Sequence, residues 1–168
     1  MTECCIGTYW SEFPEVWRNG DGAVREEVGV WFIRGRSDDT INSAGKRAGP
    51  AEIEALLMGS GKVLDAAAVA IPDDIKGVVI LAVCIPMPGT RADASLALEL
   101  SGDVVAGLGA PFRPKSVVFV DELPKTRNMK TMRRVVRAAY LGEDAGDLSS
   151  LVNPSSVDGL KTAFAAQE

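Results

Sequence analysis

The residues best suited to chemistry in this chain are concentrated in one basic segment, PKTRNMKTMRR, at positions 124–134. The segment contains no acidic residue and holds five cations, Lys125, Arg127, Lys130, Arg133 and Arg134. The chain as a whole is acidic, with a formal net charge of −5 over 168 residues. The concentration of positive charge in an acidic chain raises the question of whether this segment contacts an anion.

Lys130 stands just before a segment with helical periodicity, where a cation is unfavourable because the helix N-terminus carries partial positive charge. Free N–H groups at a helix start, together with Lys and Arg, are well suited to bind phosphate. A lysine ammonium can also neutralise charge that develops on a phosphoryl oxygen. For this segment taken alone, three interpretations remain open: a phosphate site, a solvated cationic surface and a nucleic-acid contact.

The composition excludes several kinds of catalytic site. The chain has no histidine, so it cannot itself supply a histidine-dependent nucleophilic triad or a His-ligated zinc site. The three cysteines form no disulfide framework, and Cys84, in an apolar run, is predicted to be a small core residue. Free thiols, no signal-peptide pattern and no apolar stretch of membrane-spanning length favour a cytoplasmic location.

The elements that must position the basic segment follow one another after residue 40. The loop INSAGKRAG is expected first, then a helix from Pro50, two buried strands (VLDAAAVAI and GVVILAVCI), a helix over 92–109, a third strand (KSVVFVDEL) and a final helix after the basic segment. This order predicts a small two-layer α+β domain, with a sheet of about three strands flanked by helices. The residues before it form a short β-rich segment, too small for a core of its own.

Two stretches, GRSDDTINSAGKRAGPAEIE (35–54) and PKTRNMKTMRR (124–134), resemble motifs of AMP-forming acyl-CoA synthetases of the acetyl-CoA synthetase type. A third, YWSEFPEVWRNGDGAV (9–24), is similar to the family's segment just upstream. The resemblance implies that residues 1–36 end a large N-terminal AMP-binding domain, that 37–142 are a mobile C-terminal domain and that 143–168 are a C-terminal tail. Because the family's phosphate-binding loop and acyl pocket lie in the large domain, the isolated chain is expected to be inactive.

The resemblance also implies roles for individual residues. Lys130 matches the catalytic lysine, which neutralises charge as the carboxylate attacks the α-phosphate of ATP. Asp21 and Arg36 match residues that contact the ribose, and Arg47 matches an arginine that faces the nucleotide phosphate. These four residues are the predicted nucleotide-contacting set.

Two further positions concern movement and the thiol. Asp38 matches the hinge residue about which the small domain rotates, and Gly45 matches a glycine beside the channel for CoA. The chain departs from the family at Met129, where many relatives have glycine. It also departs in the helix over 92–109, which has no Lys or Arg for the 3′-phosphate of CoA.

The function implied is that of a lid domain in a ligase that activates a short-chain carboxylate with ATP and transfers the acyl group to CoA. The implied substrates are ATP/AMP and CoA, with Mg²⁺ accompanying ATP and no metal ligand identified in this chain. The implied partners are the large adenylation domain and enzymes that acylate and deacylate Lys130, with no nucleic acid and no membrane. The alternative is a freestanding or truncated non-catalytic module that complements or binds a separate N-terminal half.

Overall fold

The computed structural model describes residues 10, 13, 15–17, 20–36, 40–43 and 45–166, with the main chain alone for 33–36. The chain divides into two compact units, Met1–Thr40 and Ile41–Glu168. In the first unit, strands β1 (Asp21–Arg25) and β2 (Trp31–Arg36) form an antiparallel hairpin. The side chain of Trp31 is 63% exposed, and none of the described residues of this unit belongs to the buried apolar core. This agrees with the expectation that the segment is too small to form a core.

The second unit begins with a short hairpin of strands β3 (Ile41–Ser43) and β4 (Lys46–Ala48). The prediction of a loop for INSAGKRAG is therefore wrong. Ser43 pairs with Lys46 across a tight turn in which Gly45 has φ +78°, a conformation that glycine adopts without steric cost. The hairpin forms because Ile41 and Ala48, at the paired ends of the two strands, are both buried.

The sheet of the second unit has three strands, β5 (Val63–Asp73), β6 (Gly77–Pro86) and β7 (Ser116–Phe119), in that order. β5 and β6 are antiparallel, and β6 and β7 are parallel. The central strand β6 is buried on both faces, which explains its continuous apolar sequence. Cys84 in this strand is fully buried, as predicted. Burial, reinforced by the negative charge of Asp65, raises the pKa of the Cys84 thiol to about 12.

Helices cover both faces of this sheet. The hairpin β3–β4, helix α1 (Pro50–Gly59) and helix α2 (Ala94–Leu108) pack on one face. Helices α3 (Arg133–Leu141) and α4 (Ser155–Ala165) pack on the other. The prediction of an α+β domain with a three-stranded sheet flanked by helices is confirmed. Within the part of the chain described, no helix is long and apolar enough to cross a membrane.

Candidate functional site

The predicted catalytic lysine lies in a tight hairpin of its own, here called the lysine loop (residues 125–131). Lys125 and Thr131 pair as an antiparallel bridge at its base. Inside the bridge, the amide of Thr126 donates to the carbonyl of Lys130 at 2.9 Å, and the amide of Met129 donates to the carbonyl of Thr126 at 2.8 Å. The amide of Lys130 in turn donates to the hydroxyl of Thr126 at 3.2 Å. Lys130 is therefore held through its main chain while its side chain is exposed.

Met129 has φ +60°, in the left-handed region that favours glycine. A three-residue hairpin loop commonly ends in one residue of this conformation, next to a local bulge. Met129 therefore adopts a conformation that glycine would reach without steric cost. Because methionine carries a side chain, this position of the loop is strained.

Among the described residues, two of the five cations of the basic segment form ion pairs. The ammonium of Lys125 donates to a carboxylate oxygen of Asp65 and, at 2.8 Å, to the hydroxyl of Thr131. The guanidinium of Arg133 binds both carboxylate oxygens of Glu54, at 2.7 and 2.6 Å. The pair with Glu54 offsets the cost of placing Arg133 in the first turn of α3, where a cation is unfavourable.

A third cation, Arg134, donates hydrogen bonds to the carbonyls of Ala145 and Asp147 and so ties down the segment after α3. Lys130 and Arg127 differ from the other three. Both are exposed, and among the described residues neither side chain has a hydrogen bond or an ion pair. The charge available to an external anion is therefore concentrated at these two positions and not spread over the whole segment.

Glu54 is the residue that joins the two faces of the domain. Its carboxylate is almost fully buried and accepts from the amide of Ala68 at 2.9 Å as well as from Arg133. Arg137 donates to the carbonyl of Ala70, two residues further along β5, at 3.2 Å. Side chains from α1 and α3 thus form hydrogen bonds with main-chain groups of β5, the edge strand of the sheet, which has no neighbouring strand on that side.

Sequence reasoning did not identify Glu54, Asp65 or Lys125 as supports of the site. Two signals were present. Glu54 lies between the apolar residues of α1, and Asp65 is the acid inside the apolar run VLDAAAVAI. An acid in an otherwise buried pattern indicates a buried partner, but its identity depends on the tertiary fold.

Gly45 and Arg47 lie together on the β3–β4 hairpin, where both are exposed. A methyl group added at Gly45 would meet no atom within 4 Å, so only its backbone conformation calls for glycine within this chain. Because this hairpin packs on the sheet face opposite to α3, the structure places Gly45 and Lys130 on different sides of the domain.

In the first unit, the register of the β1–β2 hairpin pairs Asp21 directly with Arg36. The two residues predicted to contact a ribose are thus neighbours across the hairpin, although they are 15 positions apart in sequence. The predicted hinge residue, Asp38, lies outside the described residues.

Residues 52–130 match the model of the family described as AMP-binding enzyme C-terminal domain. Over 96% of its length the chain is 43% identical to acetyl-coenzyme A synthetase 2 of Candida albicans. It is 40% identical over 93% of its length to 3-hydroxypropionyl-coenzyme A synthetase of Sulfurisphaera tokodaii. The chain spans about a quarter of the length of these relatives, 25% and 24% respectively.

Solved structures show the same fold. The acetoacetyl-CoA synthetase of Streptomyces lividans matches 97% of this chain with a TM-score of 0.82, at 21% identity and over 25% of its own length. An acyl-CoA synthetase of Brucella canis matches 75% of the chain with a TM-score of 0.60, at 36% identity and over 23% of its own length. The chain therefore carries the C-terminal domain of AMP-forming acyl-CoA synthetases, as found in relatives of the acetyl-CoA synthetase type.

Proposed function

We propose that this chain is the mobile lid of a ligase that joins a short-chain carboxylate to CoA at the expense of ATP. In the first half-reaction the carboxylate attacks the α-phosphorus of ATP, an acyl-adenylate forms and pyrophosphate leaves. In the second, the CoA thiol attacks the acyl carbon, and AMP leaves. Mg²⁺ enters with ATP, and no residue of this chain is proposed as its ligand.

Lys130 serves the first half-reaction. Its ammonium neutralises the charge that builds on the α-phosphate oxygens as the carboxylate attacks. The observation that carries this proposal is that the cations of the basic segment differ in their contacts. Lys125 and Arg133 are held in ion pairs, whereas the Lys130 side chain is exposed on a loop fixed by main-chain hydrogen bonds. A positioned, exposed point charge suits a phosphoryl centre better than a mobile one.

The opposite side of the domain serves the second half-reaction. Rotation about Asp38 withdraws Lys130 and presents the hairpin of Gly45, past which the thiol-bearing arm of CoA approaches. The open space around Gly45 supports this role, since no atom of this chain lies within 4 Å of the position that a side chain would take there. Arg47 faces the nucleotide phosphate, and Asp21 and Arg36 contact the ribose hydroxyls.

The partner of the lid is a large adenylation domain, which supplies the remaining ATP contacts and the acyl pocket. The exposed apolar side chains of the β1–β2 unit, Trp31 and Phe32 among them, support such a partner because it would remove them from water. We propose a cytoplasmic enzyme that is also regulated by acylation of Lys130, which removes its charge. The alternative, a non-catalytic module, would bind the same large domain without restoring chemistry.

An exchange assay between ATP and labelled pyrophosphate tests the proposal. The 168-residue chain alone is expected to show no exchange. Mixing it with a large domain prepared from one of these relatives is expected to restore exchange. The control variant is Lys76→Ala, which alters an exposed lysine in the turn between β5 and β6 and should behave like the wild type. Exchange by the chain alone would contradict the proposal. Binding to the large domain without exchange would favour the non-catalytic alternative.

A further inference from the structure

The lysine loop is fastened to the sheet by the partly buried ammonium of Lys125. The side chain of Lys125 is only 16% exposed, and its ammonium joins the carboxylate of Asp65 on β5 to the hydroxyl of Thr131. Thr131 is bonded covalently to Lys130, so this contact acts directly on the main chain of the predicted catalytic residue. We call the three residues Asp65, Lys125 and Thr131 the loop pin.

A β-bulge aims the acidic member of the loop pin. The register between β5 and β6 shifts between Val63 and Asp65, and Leu64 is the extra residue. The shift puts Asp65 on the same face of β5 as Ala67, the face that packs against α3 and α4. Bulges near active sites commonly redirect a side chain in this way. The carboxylate oxygen of Asp65 that does not bind Lys125 accepts a hydrogen bond from the amide of Ala66 at 2.9 Å, which fixes the orientation of the carboxylate.

The loop pin also helps to hold a strained backbone conformation inside the loop. Met129 is held at φ +60°, a conformation that a residue with a side chain avoids when it is free to relax. Closure of the loop at Lys125 and Thr131 opposes that relaxation. The loop pin acts here together with the main-chain hydrogen bonds that close the loop.

We infer that Asp65, Lys125 and Thr131 are positioning residues for Lys130, and that the loop pin holds its ammonium in the place required for adenylate formation. This inference rests on the proposed function. A merely structural role would lower both half-reactions together through loss of folded protein. If these residues position Lys130, a substitution in the loop pin lowers the rate of adenylate formation, which uses Lys130, and leaves the rate of acyl transfer to CoA unchanged.

The sharpest test replaces the hydroxyl of Thr131. Thr131→Val keeps the shape of the side chain but removes the oxygen that accepts from Lys125, whereas Thr131→Ser keeps that oxygen. In the chain mixed with a large domain, Thr131→Val is expected to slow ATP–pyrophosphate exchange about ten-fold. Thr131→Ser should stay close to the wild type. Both variants should transfer the acyl group from a preformed acyl-adenylate to CoA at the wild-type rate.

A second measurement needs only the 168-residue chain. Hydrogen exchange of the Lys130 amide, bonded to Thr126, should become about ten-fold faster in Thr131→Val while amides of β6 keep their rates. Glu99→Gln, which weakens the exposed Lys62–Glu99 pair, serves as the control and should leave the Lys130 amide unchanged. If Thr131→Val alters neither amide exchange nor pyrophosphate exchange, the inference is wrong. If Lys130→Ala keeps full pyrophosphate exchange, the proposed function is wrong, and amide exchange still decides whether the loop pin holds the loop.

Discussion

At the scale of single residues, the site is defined by which charges the molecule uses internally and which it leaves exposed. The basic segment left an anion contact as one of three interpretations, and the family resemblance singled out Lys130. The structure adds that Lys125 and Arg133 are engaged with carboxylates. Local sequence could not reveal this, because Asp65 and Glu54 lie 60 and 79 positions away from the cations they bind.

Met129 provides a prediction at this scale. Because its φ of +60° is strained for any residue with a side chain, Met129→Gly is expected to raise the free energy of unfolding. Relief of the left-handed strain outweighs the greater chain entropy of glycine, for a net gain of about 0.5–1 kcal/mol. Chemical denaturation monitored by circular dichroism measures this change. Asn128→Gly, at the preceding exposed loop position where φ is not positive, is the control and should not stabilise the protein.

At the scale of secondary-structure elements, the predictable part was the long periodic segments. The helices and the three strands of the sheet follow from their apolar patterns and end signals, such as Pro50 at the start of α1 and Gly142 after α3. The β3–β4 hairpin was missed because strands of three residues carry no periodicity, and burial of Ile41 and Ala48 is a tertiary effect.

Glu54 gives a prediction about how these elements are joined. Glu54→Ala leaves the buried amide of Ala68 without its acceptor and removes the ion pair between α1 and Arg133 at the start of α3. The free energy of unfolding is expected to fall by about 3 kcal/mol. Glu99→Ala breaks a pair whose side chains are both 45% exposed and should cost at most about 1 kcal/mol. Equal losses in the two variants, measured by denaturant titration, would show that Glu54 is not a structural clamp.

The turn between β5 and β6 gives a prediction about pH. The amide of Lys76, then the ammonium of Lys115 and the amide of Ile75, lower the pKa of Asp73 from 3.8 to about 2. A lowered folded-state pKa means that this carboxylate stabilises the fold above about pH 4 and loses the effect as the pH falls towards 2. Carboxyl NMR should give a midpoint near 2 for Asp73. In Lys115→Met the midpoint should rise but stay below 3.8, since the amide donors remain. A midpoint of 3.8 in the wild type would contradict this.

At the scale of the whole molecule, the sheet separates two surfaces that the proposed reaction uses in turn. The lysine loop connects to the face covered by α3 and α4, and the Gly45 hairpin lies on the face covered by α1 and α2. The sequence predicted both sets of residues through its resemblance to a family. It could not predict that they lie on opposite faces, because that depends on how α1 and α3 pack against the same strand.

The role of Lys130 is tested most directly by measuring the two half-reactions separately in the chain combined with a large domain. Lys130 is exposed and outside every described ion pair, so Lys130→Ala should leave the free energy of unfolding within about 0.5 kcal/mol of the wild type. We predict that this variant slows ATP–pyrophosphate exchange at least about a hundred-fold while converting preformed acyl-adenylate and CoA to acyl-CoA at the wild-type rate. Full exchange activity in Lys130→Ala, or an equal loss in both half-reactions, would contradict this prediction.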